Sequence, residues 1–378
     1  MWIGIFSGLF SIPALLGLWV GAREIVRASG GAKPVRWERV GLAALILTGR
    51  WWMPLLRRRY SDEPKPLPPT RRGTVSGTGG VRLEWEQFGP DDAPTLLLSH
   101  GWSLTHDTWY YQKKALAGEF RVIAWNMRGT GLSSAPEDGD YSLEASTDDL
   151  ADIFRAVDAG RHPRGVVLVG HSVGGMILPL FAARHPELMR SVRGLALIGG
   201  TDTHLLETMW GRQWLAPMRL WFWEPLARTM GRFPKPFEAF ARLTWQMGCV
   251  HAALMFGTHV GQESRGQDDL LADRCAHFSM RAAGRGALSC FDYDARALLP
   301  TLKLPVLLLT GDCDRNMPPD IQRGMASRLP KAELVLIENC GHLSLLECHE
   351  EVSAALADFA RRCLTPDPAA SNRVLSRL

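Results

Sequence analysis

The chain has 378 residues, with 43 Lys and Arg against 39 Asp and Glu, a formal net charge of +4 and 46% hydrophobic residues. This balance excludes a disordered polyelectrolyte, and without a basic patch interleaved with aromatics it gives no ground for nucleic acid as a partner. Seven scattered cysteines, Cys249, Cys275, Cys290, Cys313, Cys340, Cys348 and Cys363, form no metal-type pairs, so reduced thiols are expected and neither a metal nor a cofactor is.

Residues 2–22 carry no ionisable side chain and consist mainly of Ile, Leu, Phe, Gly, Val and Trp, close to the roughly 20 residues a helix needs to cross a bilayer. No basic stretch precedes them and no A-x-A cleavage site follows, so an uncleaved membrane anchor is predicted over residues 1–22, a cleaved signal or a helix packed on the domain being the alternatives. Arg23, Arg27, Lys33, Arg36 and Arg39 all follow that span, which assigns the downstream chain to the cytoplasmic side. A second apolar stretch, 40–56, is short, contains Arg50 and ends in Arg57-Arg58-Arg59. It reads as an interfacial segment with Trp51 and Trp52 at headgroup level and membrane lipids as its partner, a return span being the alternative. Pro64-Lys65-Pro66-Leu67-Pro68-Pro69 is too proline-rich for a helix or central strand. An extended linker is expected there, so that 23–72 joins the anchor to a globular part.

Strand-like and helix-like patterns alternate from residue 73 onward. Residues 81–88 alternate like an outer strand, 95–99 and 121–126 are short apolar runs, and 143–157 has helical periodicity. The β-branched run 165–169 leads into Gly170-His171-Ser172-Val173-Gly174-Gly175 and then a helix-like segment, 176–184. A nucleophile on so sharp a strand-to-helix turn has strained dihedrals, and side chains two positions before and after it would strike the neighbouring backbone. Gly170 and Gly174 remove those collisions. The helix that follows aims its free N–H groups at the serine.

Residues 192–200 predict another strand, after which 201–288 breaks the rhythm. That stretch contains Trp210, Trp214, Trp221, Trp223 and Trp245 with several Met and Phe residues, in helical patterns. The rhythm then resumes: the strand 305–310 enters Gly311-Asp312-Cys313-Asp314-Arg315-Asn316-Met317-Pro318, and the strand 334–337 enters Glu338-Asn339-Cys340-Gly341-His342. A helix over 345–364 and a flexible tail over 365–378 complete the chain. A serine hydroxyl is a weak nucleophile at neutral pH and needs a base and a group to orient that base. Both lie downstream, each just past the carboxyl end of a strand.

Together, His100-Gly101-Trp102, the run from Asn126 to Ser133, the Ser172 turn, the Gly311 loop and Gly341-His342 resemble the α/β-hydrolase fold superfamily over about residues 74–364. The resemblance implies an α/β fold, a mostly parallel sheet flanked by helices, with a core of 73–200 and 289–364 and a helical cap of 201–288. It also implies Ser172 as nucleophile, His342 as general base and Asp314 as orienting acid, with the backbone N–H groups of Trp102 and Val173 as an oxyanion hole. His100, Gly101 and His171 are expected around the substrate, the two histidines in supporting roles. Asp314 matches the family spacing, whereas Asp312 directly follows the strand and suits bracing of the loop; Glu338 reads as solvent-facing or bracing. Many relatives have Asp where this chain has Asn126.

Epoxide hydrolases and haloalkane dehalogenases of the superfamily attack with a carboxylate, whereas this chain offers an alcohol. The expectation is therefore a serine hydrolase of carboxylic esters of apolar acids, monoacylglycerol-like or otherwise, working through an acyl-enzyme. C–C bond hydrolysis, perhydrolysis and acyl transfer on the same triad are alternatives, as is a non-catalytic binding protein. The tryptophan-rich cap is expected to line a deep apolar pocket.

Overall fold

Eight strands share one sheet in the computed structural model, which describes residues 2–29, 34–257 and 263–365. They are β1 (Arg71–Ser76), β2 (Arg82–Phe88), β3 (Thr95–Ser99), β4 (Arg121–Trp125), β5 (Val166–His171), β6 (Val192–Ile198), β7 (Val306–Gly311) and β8 (Ala332–Ile337), in the order β1-β2-β4-β3-β5-β6-β7-β8. β2 runs antiparallel to β1 and β4, and every other pairing is parallel. The continuous apolar runs in β3, β5 and β7 follow from this position, because a parallel sheet is covered by helices on both faces.

Alternation still sorts the side chains within those runs. Val166 and Leu168 of β5 enter one core with the helices Leu143–Ala156 and Val173–Arg184, while Val167 and Val169 enter the other with Tyr110–Leu116 and His349–Leu364. Burying each such side chain stabilises the fold by about 1.5–3 kcal/mol. The central strand is thereby held from both sides, and the turn at its carboxyl end inherits that rigidity.

Two elements differ from expectation. The strand at 81–88 is not the outermost, because Arg71–Ser76 pairs outside it; the sequence RRGTVS has no apolar alternation and its side chains are exposed or half-buried. Charged edges of this kind oppose pairing with a second sheet. The helix over 345–364 is broken at Cys348, where ψ turns to 48°, into Ser344–Glu347 and His349–Leu364.

The helices inserted between β6 and β7 run from Leu205 to Asp292, slightly beyond the expected cap boundary. Against this cap lies α1 (Trp2–Ser29), with α2 (Trp37–Leu47) packed along it. The spanning anchor expected over residues 1–22 is corrected: no described helix is long and apolar enough to cross a membrane. α1 continues into Arg23, Glu24 and Arg27, and it packs on α2 and on the cap helix Cys249–Gly257. Gly17 faces Ile46 and Gly21 faces Ala43, an antiparallel register in which a Cβ at either glycine would overlap the partner side chain. Arg39 Nη1 closes the pair on Glu24 Oε2 at 3.0 Å.

The segment that follows is no free tether either. Arg57 pairs with Asp268 at 2.7 Å and with Glu263 at 3.1 Å, and the Asp62 carboxylate accepts from Lys114 Nζ and the Tyr110 hydroxyl, each at 2.7 Å. Leu67 of the proline-rich stretch packs on the core. The expected tail beyond residue 365 lies outside the described residues.

Candidate active site

Ser172 occupies the turn between β5 and the helix Val173–Arg184 with φ 53° and ψ −118°, the left-handed strain expected of a residue presented on so tight a corner. The flanking glycines are required sterically. A Cβ at Gly170 would overlap the Gly174 carbonyl, and one at Gly174 would overlap the Ser99 carbonyl of β3. The hydroxyl is thus held at the carboxyl edge of the sheet, where β7 and β8 also deliver their loops.

His342 and Asp314 arrive from those loops. His342 Nε2 lies 3.2 Å from Ser172 Oγ, and its Nδ1 lies 2.8 Å from Asp314 Oδ2. Asp314 Oδ1 accepts the N–H groups of Asn316 at 2.7 Å and Met317 at 2.8 Å, and Thr310 Oγ1 donates to Oδ2 at 3.3 Å. Burial works to raise the Asp314 pKa, but the His342 ring and the two backbone N–H groups outweigh it and hold the carboxyl below the usual carboxylate range. An ionised Asp314 fixes the His342 proton on Nδ1 and leaves Nε2 as an acceptor facing the serine. Asp312 points elsewhere and accepts the Cys340 N–H at 3.3 Å, bracing the loop, while Glu338 is exposed.

Three positioning groups were not anticipated. Glu347 accepts the N–H groups of Gly341 at 2.9 Å and Leu343 at 3.0 Å, gripping both sides of His342. Gly199, at φ 54°, leaves room for the Asp314–His342 pair: a Cβ there would lie 3.3 Å from both Asp314 Oδ2 and His342 Nδ1. Gly286, on the cap helix Met280–Asp292, accepts the Trp102 indole against its bare backbone. The Gly199-Gly200 pair at a strand end was a signal for the second of these; nothing local marked the other two.

The remaining expected residues divide. The N–H groups of Trp102 and Val173 find no hydrogen-bond acceptor among the described residues, and both residues line the cavity over Ser172. His171 also lines it, with Nε2 2.9 Å from the His342 carbonyl; burial first, then the neighbouring His342 ring, push its pKa down to about 3. The ring is therefore neutral and donates from Nε2.

His100 and Gly101 line a second, smaller cavity that shares Trp102 and Val173 with this one. His100 is fully buried, with Nδ1 2.8 Å from the Gly101 carbonyl and Nε2 accepting the Met127 N–H at 3.0 Å, so it holds the loop from behind. Burial pushes its pKa down to about 4. Asn126 has an equally local reason: its amide donates to Glu84 at 2.7 Å while its oxygen accepts the His106 N–H at 2.8 Å. An aspartate there would set two carboxylates together.

The cavity holds about 100 Å³ and is walled by apolar side chains of the cap, chiefly Leu205, Met209, Ala287 and Phe291, facing Met317 and Leu343. The smaller cavity, of about 30 Å³, lies on the other side of Trp102. None of the five cap tryptophans lines the larger one, contrary to expectation. Trp210, Trp214 and Trp221 are exposed on the outer surface, Trp223 packs within the cap, and Trp245 stacks under Arg50.

Residues 94–347 match the model of a family described as alpha/beta hydrolase fold. Bifunctional epoxide hydrolase 2 of Rattus norvegicus is 25% identical over 341 residues, covering 80% of this chain and 58% of that relative, so the chain spans less than two thirds of its length. A pimeloyl-[acyl-carrier protein] methyl ester esterase of Aeromonas salmonicida is 28% identical over 258 residues, covering 68% of this chain and 91% of the relative. Among solved structures, a thermophilic esterase from Thermogutta terrifontis superimposes with a TM-score of 0.62 at 25% identity, over 78% of this chain and 100% of that one.

Proposed function

The chain belongs to the alpha/beta hydrolase fold family, and on that premise we propose that it is a serine hydrolase cleaving carboxylic esters through an acyl-enzyme at Ser172. One observation carries the reading: Ser172, His342 and Asp314 form a continuous relay at 3.2 and 2.8 Å beneath two backbone N–H groups without acceptors, at the floor of an apolar cavity. In this reading His342 Nε2 takes the Ser172 proton as Oγ attacks the ester carbon, and the N–H groups of Trp102 and Val173 receive the developing oxyanion. His342 returns the proton to the departing alkoxide. Water then attacks the acyl-enzyme by the same route in reverse, which frees the acid and restores the serine.

A hydroxyl rather than a carboxylate at the turn speaks against the epoxide chemistry named for the rat relative and agrees with the esterase names. The cavity supports a short apolar acyl group, since about 100 Å³ is well below the roughly 300–1,000 Å³ of pockets that enclose drug-sized ligands. A monoacylglycerol-like chain would have to extend beyond it. Labelling with a fluorophosphonate tests the nucleophile: the parent should label and Ser172→Ala should not. A folded parent that resists the probe and hydrolyses no ester of a chain-length series would overturn the reading.

A further inference from the structure

More than half of the large apolar side chains left exposed belong to α1, α2 and the turn after them, a second group that includes Trp214, Leu220 and Trp221 lying on the cap. On α1, Ile12, Leu15, Leu16 and Trp19 recur at helical spacing and are all exposed, Leu16 at 59% and Trp19 at 56%. On α2, Trp37, Leu42 and Leu45 are exposed likewise, Trp37 at 72%. The turn after α2 adds Trp51, Leu55 and Leu56. The opposite side of the hairpin is occupied: Gly17 and Gly21 meet Ile46 and Ala43, and α1 lies on the cap helix Cys249–Gly257. The cap continues the exposed surface. Gln246 Nε2 reaches the Leu47 carbonyl at 3.4 Å, and the helix Pro234–Gln246 exposes Phe240 and Leu243 beside it.

The charge around this surface identifies what covers it. Between residues 23 and 59 there are nine Lys and Arg but only Glu24 and Glu38; Arg39 pairs with Glu24 and Arg57 is held by Asp268 and Glu263, which leaves seven cations against Glu38. Arg23 stacks over Trp19 at 5.2 Å and Arg50 over Trp51 at 5.0 Å. Tryptophan beside arginine at the margin of an apolar face suits a bilayer interface, where the rings sit at headgroup level and the guanidinium groups meet anionic phosphates. A second copy of the same face would bring like charges together. Exposed apolar patches of this extent on soluble proteins mark interaction sites.

We propose that α1, α2 and the turn 49–56 form an in-plane docking surface for an anionic lipid bilayer, lying on the membrane rather than crossing it. The proposal is independent of the hydrolase reading. Its test is flotation of the full chain with phosphatidylcholine vesicles, with and without phosphatidylglycerol. The parent should float, more strongly with phosphatidylglycerol, and Leu16→Glu/Leu45→Glu should lower partitioning at least about tenfold while the circular-dichroism melt stays cooperative. Should that variant fail to fold, Arg58→Ala/Arg59→Ala alters two exposed charges; it should weaken binding to phosphatidylglycerol vesicles by about 30-fold and leave phosphatidylcholine binding unchanged. A parent that does not float overturns the proposal, as do folded variants that float like the parent. So does sedimentation showing a parent dimer that the glutamate variant dissociates while neither binds vesicles.

Discussion

Replacing Asp314 by Asn tests the relay with the least change in shape. The carboxylate takes four donors: His342 Nδ1 and Thr310 Oγ1 on Oδ2, and the N–H groups of Asn316 and Met317 on Oδ1. An amide has one acceptor oxygen, and two backbone N–H groups at 2.7 and 2.8 Å hold it at the Oδ1 position. Its NH2 then faces His342 Nδ1. To avoid opposing donors the imidazole must accept there, which moves its proton to Nε2, the atom that takes the Ser172 proton in the proposed mechanism. Loss of the correct tautomer costs about 10⁴ in kcat, or about 5 kcal/mol of barrier. Stability should fall by only about 1–2 kcal/mol, since most of the hydrogen bonds survive. Stopped-flow acylation with a p-nitrophenyl ester, beside a thermal melt, reads both quantities. Asp312→Asn is the control, and because its oxygen can still accept the Cys340 N–H, its rate should stay within a few-fold of the parent. An Asp314→Asn rate within tenfold of the parent, or an equal loss in Asp312→Asn, would refute the assignment of the acid.

The other predictions concern stability and the supports of the site. Because the folded-state pKa values of His100 and His171 lie near 4 and 3 against an ordinary 6.5, the unfolded chain binds more protons than the folded one as pH falls. Their contribution is complete above 6.5 and is lost between 6.5 and those lower values, about 2 kcal/mol each at pH 5. Thermal melts across this range should therefore fall, and His171→Gln should flatten roughly half of the drop; an unchanged slope would count against buried neutral rings. Gly286→Ala puts a methyl into the Trp102 indole, costing about 1–3 kcal/mol and lowering kcat/KM as the 101–103 loop shifts; a variant with parental Tm and kcat/KM would show that the contact relaxes freely. Glu347→Ala strands the N–H groups of Gly341 and Leu343, for a loss of about 2–4 kcal/mol that Glu347→Gln should partly restore. Equal melting of the two variants would mean that Glu347 does not hold the His342 loop.

The relay could be read in the sequence because each member follows a strand whose partners set its height. Gly170 pairs with Leu197 and Gly311 with Ile337, so parallel register alone brings the three loop starts to one edge of the sheet. Gly170 and Gly174 announced the sharp turn in the same local way. Glu347 and Gly286 carry no such mark. One grips a loop through main-chain N–H groups, and the other meets an indole 184 positions earlier in the chain, relationships that exist only after the segments pack. β1 escaped for the opposite reason, since its pairing with β2 rests on backbone hydrogen bonds and its side chains hold no apolar pattern.

Apolar length and aromatic content were weaker guides, because the same side chains can serve a core, a cavity or an outer face. In the N-terminal helix the informative features are Gly17 and Gly21, four residues apart, and Glu24 two turns beyond Gly17, each matched by a residue of α2. They favour a helical partner over lipid on that side and leave the other side uncovered. In the cap, the helix over the serine approaches so closely that the Trp102 indole lies against the backbone of Gly286, and the neighbouring positions facing the cavity are Ala287 and Cys290. A tryptophan at either position would fill much of the cavity over Ser172. The cap tryptophans lie away from it, Trp210, Trp214 and Trp221 on the outer surface and Trp223 within the cap, so the aromatic content of the stretch did not forecast what lines the cavity.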